Sequence, residues 1–237
     1  MTQDERKRNR MIVIQRGKEP GSLLQYRKSN PNACYEELPS KPREDIRKQM
    51  WEEQCGLCAY CMRYIKKPRD VRIEHYYPRH STQGDYSKED TLDYKKMLGV
   101  CYGNSMWENV KKENLTCDAH RGNEWLTINP YDANSIRKIR YTSDGYITSD
   151  DAEIKKDVEV TLNLNCKMSS LPENRKAVLI QAKRKINELC KGKSHSAYLE
   201  VLRRIYREYT VNRQLSPYCG IIIAWLEKQL GIQRPRK

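Results

Sequence analysis

Phenylalanine is absent from the 237-residue chain, and histidine occurs only four times. The first absence leaves Tyr, Trp and aliphatic side chains to fill a core. The second leaves few groups able to move a proton near neutral pH. Long apolar runs are lacking as well. The longest, Ile221 to Leu226, is far short of the roughly 20 residues needed to cross a bilayer, which excludes a membrane-spanning helix. The charged opening, Met1 to Arg10, is followed by no apolar stretch of signal-peptide length, so a cytoplasmic protein with reduced thiols is expected. No internal repeat and no low-complexity tract is visible.

Acidic charge is in short supply. Lys and Arg number 45 against 31 Asp and Glu, a formal net charge of +14. Such a surplus points toward a polyanionic partner, with nucleic acid the obvious class. It is uneven: Leu171 to Lys237 carries fifteen Lys/Arg and five Asp/Glu, hence +10 of the +14. A chain of this length can bury a self-supporting core without metals or disulfides. Nine cysteines therefore call for another explanation, and in a reducing compartment clustered cysteines suggest metal binding.

The pattern along the chain predicts an α+β fold. Met11 to Ile14 reads as a short strand, with a turn at Glu19-Pro20-Gly21. Pro42 opens a helix through Gln54 with Ile46, Met50 and Trp51 on one face. Val71 to His75 alternates as a strand, His80 to Asp90 is a polar loop, and Met97 to Cys101 is a returning strand. Ile136 to Tyr141 and Tyr146-Ile147 flank Ser143-Asp144-Gly145 as a hairpin. Apolar steps of three or four then mark helices through Val178 to Leu189, Tyr198 to Tyr209 and Tyr218 to Leu230. Three segments follow: an N-terminal strand and helix extension (1–54), a compact centre (55–130), and a hairpin with a basic helical region (131–237).

Cys58 and Cys61 form a Cys-x2-Cys knuckle, with Cys101 and Cys117 downstream. Four thiolates make a closed tetrahedral zinc site. Cys55 offers an overlapping pair with Cys58, and both registers stay open. Cys34, Cys166, Cys190 and Cys219 lack paired spacing and read as ordinary apolar residues. Between the halves of this frame lies Ile73-Glu74-His75-Tyr76-Tyr77-Pro78-Arg79. A hard divalent ion takes carboxylate oxygen, and a neutral imidazole takes a proton from water. Glu74 as metal ligand and His75 as general base thus divide the labour of phosphodiester hydrolysis; a strand-end acid beside a hydrogen-bonded histidine is the plain alternative. In Cys117-Asp118-Ala119-His120-Arg121, Asp118 is placed to add a second oxygen. His120 is the competing ligand, and Arg121 is a candidate phosphate contact.

The ordered set Cys-x2-Cys, Glu-His-x2-Pro, Cys101-x-Gly103-Asn104 and Cys117-Asp118-x2-Arg-Gly resembles the HNH endonucleases, the zinc-stapled version of the ββα-metal fold. With Gln54-x-Gly56-Leu57 before the knuckle, Gly145 in the hairpin, Leu162-Asn163-Leu164-Asn165, Leu171 and Arg175, the chain is most similar to the HNH nucleases of the Septu antiphage system and their retron-associated relatives. The resemblance implies that His75 is the base, that Glu74 and Asp118 bind a catalytic Mg²⁺ or Mn²⁺, and that Cys58, Cys61, Cys101 and Cys117 hold structural zinc. It also implies an ABC/SMC-type ATPase partner, with a reverse transcriptase and its DNA–RNA product in the retron versions. The C-terminal helices would dock that ATPase or grip nucleic acid, and the apolar stripes around Tyr198, Leu202 and Trp225 favour docking. The chain departs from the family at the middle Asn that steadies the base, where Lys96 stands. Asn104, Asn109 or a backbone carbonyl would have to serve instead. Two other readings share these residues: a non-catalytic zinc module that binds nucleic acid or the ATPase, and an RNA-cleaving (tRNA-cleaving) toxin.

Overall fold

The computed structural model describes residues 13–79, 91–211 and 215–232. It is a mixed helix and sheet protein with two small antiparallel sheets. Helix α1 (Gly21–Ser29) and α2 (Ser40–Glu53) precede strand β1 (Arg72–His75) and strand β2 (Met97–Val100), which pair with Arg72 opposite Val100 and His75 opposite Met97. The short helix α3 (Cys117–Arg121) follows, then α4 (Ala133–Arg137), and the hairpin of β3 (Ile139–Tyr141) and β4 (Ile147–Ser149). Helix α5 (Ala152–Lys156) runs into a π-helical turn, Asp157–Thr161, and three longer helices end the fold: α6 (Leu171–Cys190), α7 (His195–Thr210) and α8 (Cys219–Gln229).

Helix α2 buries Ile46 and Met50 completely and Trp51 partly, the face its spacing predicts. It begins two residues before Pro42 and stops where Cys55 and Gly56 both adopt left-handed φ, 53° and 70°. The Gly56 N–H returns to the Trp51 carbonyl at 2.7 Å, which closes the helix end and aims the chain into the cysteine knuckle. Buried Gln54 joins that knuckle to the sheet: its amide nitrogen donates to the Leu57 and Gly99 carbonyls (2.8 and 2.7 Å), and its oxygen accepts from the Gly99 N–H (2.9 Å).

The main apolar core runs from Ile14, Leu23 and Ile46 through Met97, Leu98 and Ile128 to Leu171 and Ile223. It thus draws on all three segments read from the sequence. A second cluster lies between the last three helices, around Leu179, Ile186, Leu202, Ile222 and Leu226, with Tyr198 and Trp225 packed against it. The apolar stripes expected to dock a partner therefore pack largely on one another.

Some expected elements differ. Val13 and Ile14 form no strand; Ile14 is held by one bond from its N–H to the Pro130 carbonyl, 2.9 Å, while Met11 and Ile12 lie outside the described residues, as does the expected loop at 80–90. Ile136 belongs to helix α4, because Asp132 accepts hydrogen bonds from the Asn134 and Ser135 N–H groups and caps it. The strand of the hairpin starts only at Ile139.

That hairpin is fastened to α6. Gly145 has φ 86°, and a Cβ there would lie 2.0 Å from the Pro172 carbonyl oxygen. Buried Arg175 donates to the Gly145 and Leu164 carbonyls. Gly145→Ala should lower the unfolding free energy in urea by at least about 2 kcal/mol, since it adds a clash to a left-handed strain. Gly192 also has positive φ (74°) but open space around it, so Gly192→Ala should cost only about 1 kcal/mol. Equal effects would show that the contact with α6 does not matter.

Candidate metal centre and cleft

The Sγ atoms of Cys58, Cys61, Cys101 and Cys117 all lie within 4.8 Å of one another, and all four residues are buried. Three of the pairs are 3.8–3.9 Å apart. A zinc–sulfur bond of about 2.3 Å gives a tetrahedron with sulfur–sulfur edges of about 3.8 Å, so the donor set fits zinc. All nine cysteines are free thiols, and Cys55 is exposed, away from the group. The knuckle therefore uses the Cys58/Cys61 register.

Backbone geometry brings the four together. The knuckle turns at Met62 (φ 61°), with the Met62 N–H on the Cys58 carbonyl at 3.0 Å, and the Ala59 N–H donates to the Gly99 carbonyl of β2 at 3.0 Å. Cys101 and Cys117 are drawn together across the Thr116 N–H to Gly103 carbonyl bond, 3.0 Å. Cys117 itself is left-handed (φ 57°) and donates to the Leu162 carbonyl at 2.8 Å. Despite full desolvation, hydrogen bonds from Cys101, Cys117 and Cys61 hold the Cys58 thiol well below its usual range. Cys117 is pushed up by its neighbours Cys101, Cys58 and Cys61, and by burial. Without a cation, the cluster resists full ionisation.

Next to this centre is a cleft of about 410 Å³, whose walls include Arg72, Glu74, His75, Arg79, Asp118 and Asn123. Glu74 is buried, and its Oε1 accepts from both the Tyr60 hydroxyl (3.1 Å) and Arg121 Nη1. Burial and then the Asp118 carboxylate push Glu74 up to about 8, against the pull of Arg121. Asp118 is also 3.8 Å from Arg72 Nε. A buried carboxylate beside a second, half-buried one gives up its proton less readily.

His75 is 4% exposed. Its Nε2 lies 2.8 Å from the Thr91 carbonyl oxygen, and its ring meets Tyr35 edge-on at 4.6 Å. A carbonyl can only accept, so Nε2 carries the hydrogen and Nδ1 the lone pair in the neutral ring. Burial lowers His75 to about 4, which keeps the imidazole neutral at physiological pH and makes it a weaker base than a free imidazole. The orienting group is thus a backbone carbonyl. Lys96 instead lies 3.8 Å from Asp93 and above the Tyr77 ring. Asn104 donates to the Asn114 carbonyl (2.8 Å) and accepts from Arg63 (3.3 Å), and exposed Asn109 occupies a left-handed turn.

Two expected residues are placed differently. His120 turns from the cleft, its Nδ1 3.0 Å from the Thr161 carbonyl, so of the two candidate ligands on α3 it is Asp118 that lies beside Glu74. Arg121 is 2% exposed rather than open to a phosphate. Besides Glu74 and Tyr60, its guanidinium donates to the carbonyls of Glu124 (2.7 Å), His75 (3.2 Å) and Tyr76 (2.7 Å). Its role is to position β1 and the Glu74 carboxylate.

Sequence reasoning passed over Arg72, Tyr60 and Thr91. Arg72 was within reach, since strand alternation places it on the face of Glu74 two residues on. The Thr91 carbonyl carries no residue-type signal. No family model matches the chain, and no curated protein is significantly similar to it.

Elemental analysis of chelator-free protein should give one zinc per chain. Structural zinc supplies roughly 10–16 kcal/mol of apparent binding energy, much of it folding energy. Cys61→Ser should therefore lose both metal and native fold, whereas Cys34→Ser and Cys55→Ser should keep both. Zinc-free but native wild-type protein would contradict the assignment.

Proposed function

We propose that this protein is a metal-dependent endonuclease of the HNH type, with a zinc-stapled ββα-metal core, that hydrolyses phosphodiester bonds of nucleic acid. By its resemblance to the Septu and retron-associated nucleases, it would act in antiphage defence as the nuclease subunit beside an ABC/SMC-type ATPase. The observation that carries the reading is the convergence of His75, Glu74 and Asp118 on one cleft. The strand pair β1–β2 and helix α3 that supply them are joined through the four-cysteine centre.

Each residue then has a chemical task. His75 Nδ1 accepts a proton from the attacking water, with Thr91 holding the ring in the required tautomer. With Oε1 engaged by Arg121 and Tyr60, Glu74 offers Oε2, and Asp118 adds its carboxylate, to hold a hard divalent ion. Such an ion supplies positive charge to the scissile phosphate and the leaving oxygen. Arg72 and Arg79, on the cleft wall, draw in the phosphodiester backbone. The site reads a phosphodiester, so DNA and RNA both fit it. The Arg121–Glu74 pair is the observation that favours the second reading, a non-catalytic zinc module, because it engages one oxygen of the proposed ligand.

Purified protein, alone and with its ATPase, should be assayed on DNA and total tRNA with Mg²⁺ or Mn²⁺. His75→Ala should cut turnover by about 10²–10⁴ with zinc and fold intact. Glu74→Ala and Asp118→Ala should be partly rescued by excess divalent metal, His120→Ala should be mild, and Lys96→Asn should be neutral. A His75→Ala protein that cleaves like wild type leaves the binding-module reading standing.

A further inference from the structure

A second groove, of about 230 Å³, lies on the outer face of the cysteine knuckle. Three of its walls are large apolar side chains left in solvent: Tyr64, 48% exposed, Trp107, 46%, and Met106, 71%. Tyr64 follows the knuckle, while Met106 and Trp107 come from the segment between β2 and α3. That segment is rigidly built. Gly103 and Asn104 are both left-handed, at 56° and 71°, and a Cβ on Gly103 would lie 2.0 Å from the Thr116 carbonyl oxygen. The buried Asn104 side chain is pinned as described above, and the Trp107 backbone N–H donates to the Asn104 carbonyl at 3.0 Å. The aromatic platform is preformed.

Cations stand beside these rings, with the cluster cysteine Cys101 also on the groove wall. Arg63 and Lys66 line the groove with Asp70 as the one carboxylate. The groove and the cleft are separate but close in sequence: Tyr102 lines the groove and Ser105, three residues on, the cleft. Arg72, on the cleft wall, lies toward the groove, 6.0 Å from the Tyr102 ring centroid, 3.5 Å from Ser105 Oγ and 3.8 Å from Asp118.

Aromatic faces flanked by cations suit unpaired nucleotides, because every base offers a π-face and each phosphate a charge. A duplex keeps its bases stacked on one another and has none to offer Trp107. We propose that this groove binds an unpaired stretch of a nucleic-acid strand. Bases stack on Trp107 and Tyr64, and the backbone passes over Arg72 into the cleft. The substrate class of the enzyme is then single-stranded or locally unpaired nucleic acid. That last step rests on the nuclease reading; the binding itself does not.

The test measures fluorescence anisotropy of labelled oligo(dT) and oligo(U), each of about 12 nucleotides to match a typical single-strand site, against a blunt duplex of equal length. The full zinc-loaded chain is used without added divalent ion. Single strands should bind more tightly than duplex, Trp107→Ala should weaken them about tenfold or more, and Trp107→Tyr should retain most of the affinity. Unchanged zinc content checks the fold of each variant, and Cys34→Ser should bind as wild type does. Wild-type affinity in Trp107→Ala, or a preference for duplex, overturns the proposal. So does a Trp107→Ala protein that binds oligonucleotide normally but no longer associates with the ATPase, since that assigns the groove to a protein. Trp107-dependent binding without cleavage under any metal would sink the nuclease reading and leave the groove standing.

Discussion

Four buried thiols meeting at one point are the constraint on which the rest of the centre depends. They come from three separate stretches of chain: the knuckle after α2, the end of β2, and the first residue of α3. Left as thiols they would be four weakly hydrogen-bonded groups in the core; as thiolates they would repel one another. A divalent cation removes both problems and converts the repulsion into a cross-link. The left-handed backbone at Met62, Gly103 and Cys117 is the local strain this convergence requires, and such strain persists only where the surroundings over-determine it.

The cross-link sets what faces what. With Cys117 fixed beside the knuckle, Asp118 is carried to the mouth of the cleft and Arg121, one turn on, is turned inward beneath β1. Arg121 suits that position because its planar fork serves a carboxylate, a phenol and three carbonyls at once, which a lysine ammonium cannot do. A buried ion pair need not add stability over apolar packing. What this one supplies is orientation: Oε1 of Glu74 is engaged, and the carboxylate is held beside Asp118. Burial also keeps His75 neutral. A buried carboxylate and an uncharged imidazole thus sit on adjacent strand residues without neutralising each other.

Much of this was legible in residue order. Helix α2, the β1–β2 pair, the hairpin at Gly145 and the three long helices follow from periodicity and turn chemistry, because their burial is one-sided and regular. Spacing marks the Cys-x2-Cys knuckle but not its register, which the burial of Cys61 and the exposure of Cys55 decide. Helix α1 was hidden: Leu23 is its single buried residue, so it has no apolar stripe, and Pro20-Gly21 reads as a turn. Helix α4 placed Ile136 where a strand was expected, although Asp132 was present as a capping signal. In a helix as short as α3, spacing cannot say which of Asp118, His120 and Arg121 faces the cleft. That choice is made by tertiary contacts, the Thr161 carbonyl for His120 and Glu74 for Arg121. The tautomer of His75 rests on a main-chain oxygen, which any residue would provide.

A metal-cysteine cross-link is expected to assemble the cleft. Hydrogen exchange before and after zinc removal tests this directly. The amides of Ala59, Thr116 and Cys117, whose bonds tie the cysteine segments together, should lose protection together with those of β1 and β2, while α6 to α8, with their own apolar cluster, retain theirs. Zinc-free protein that keeps Thr116 and Cys117 protected would contradict it.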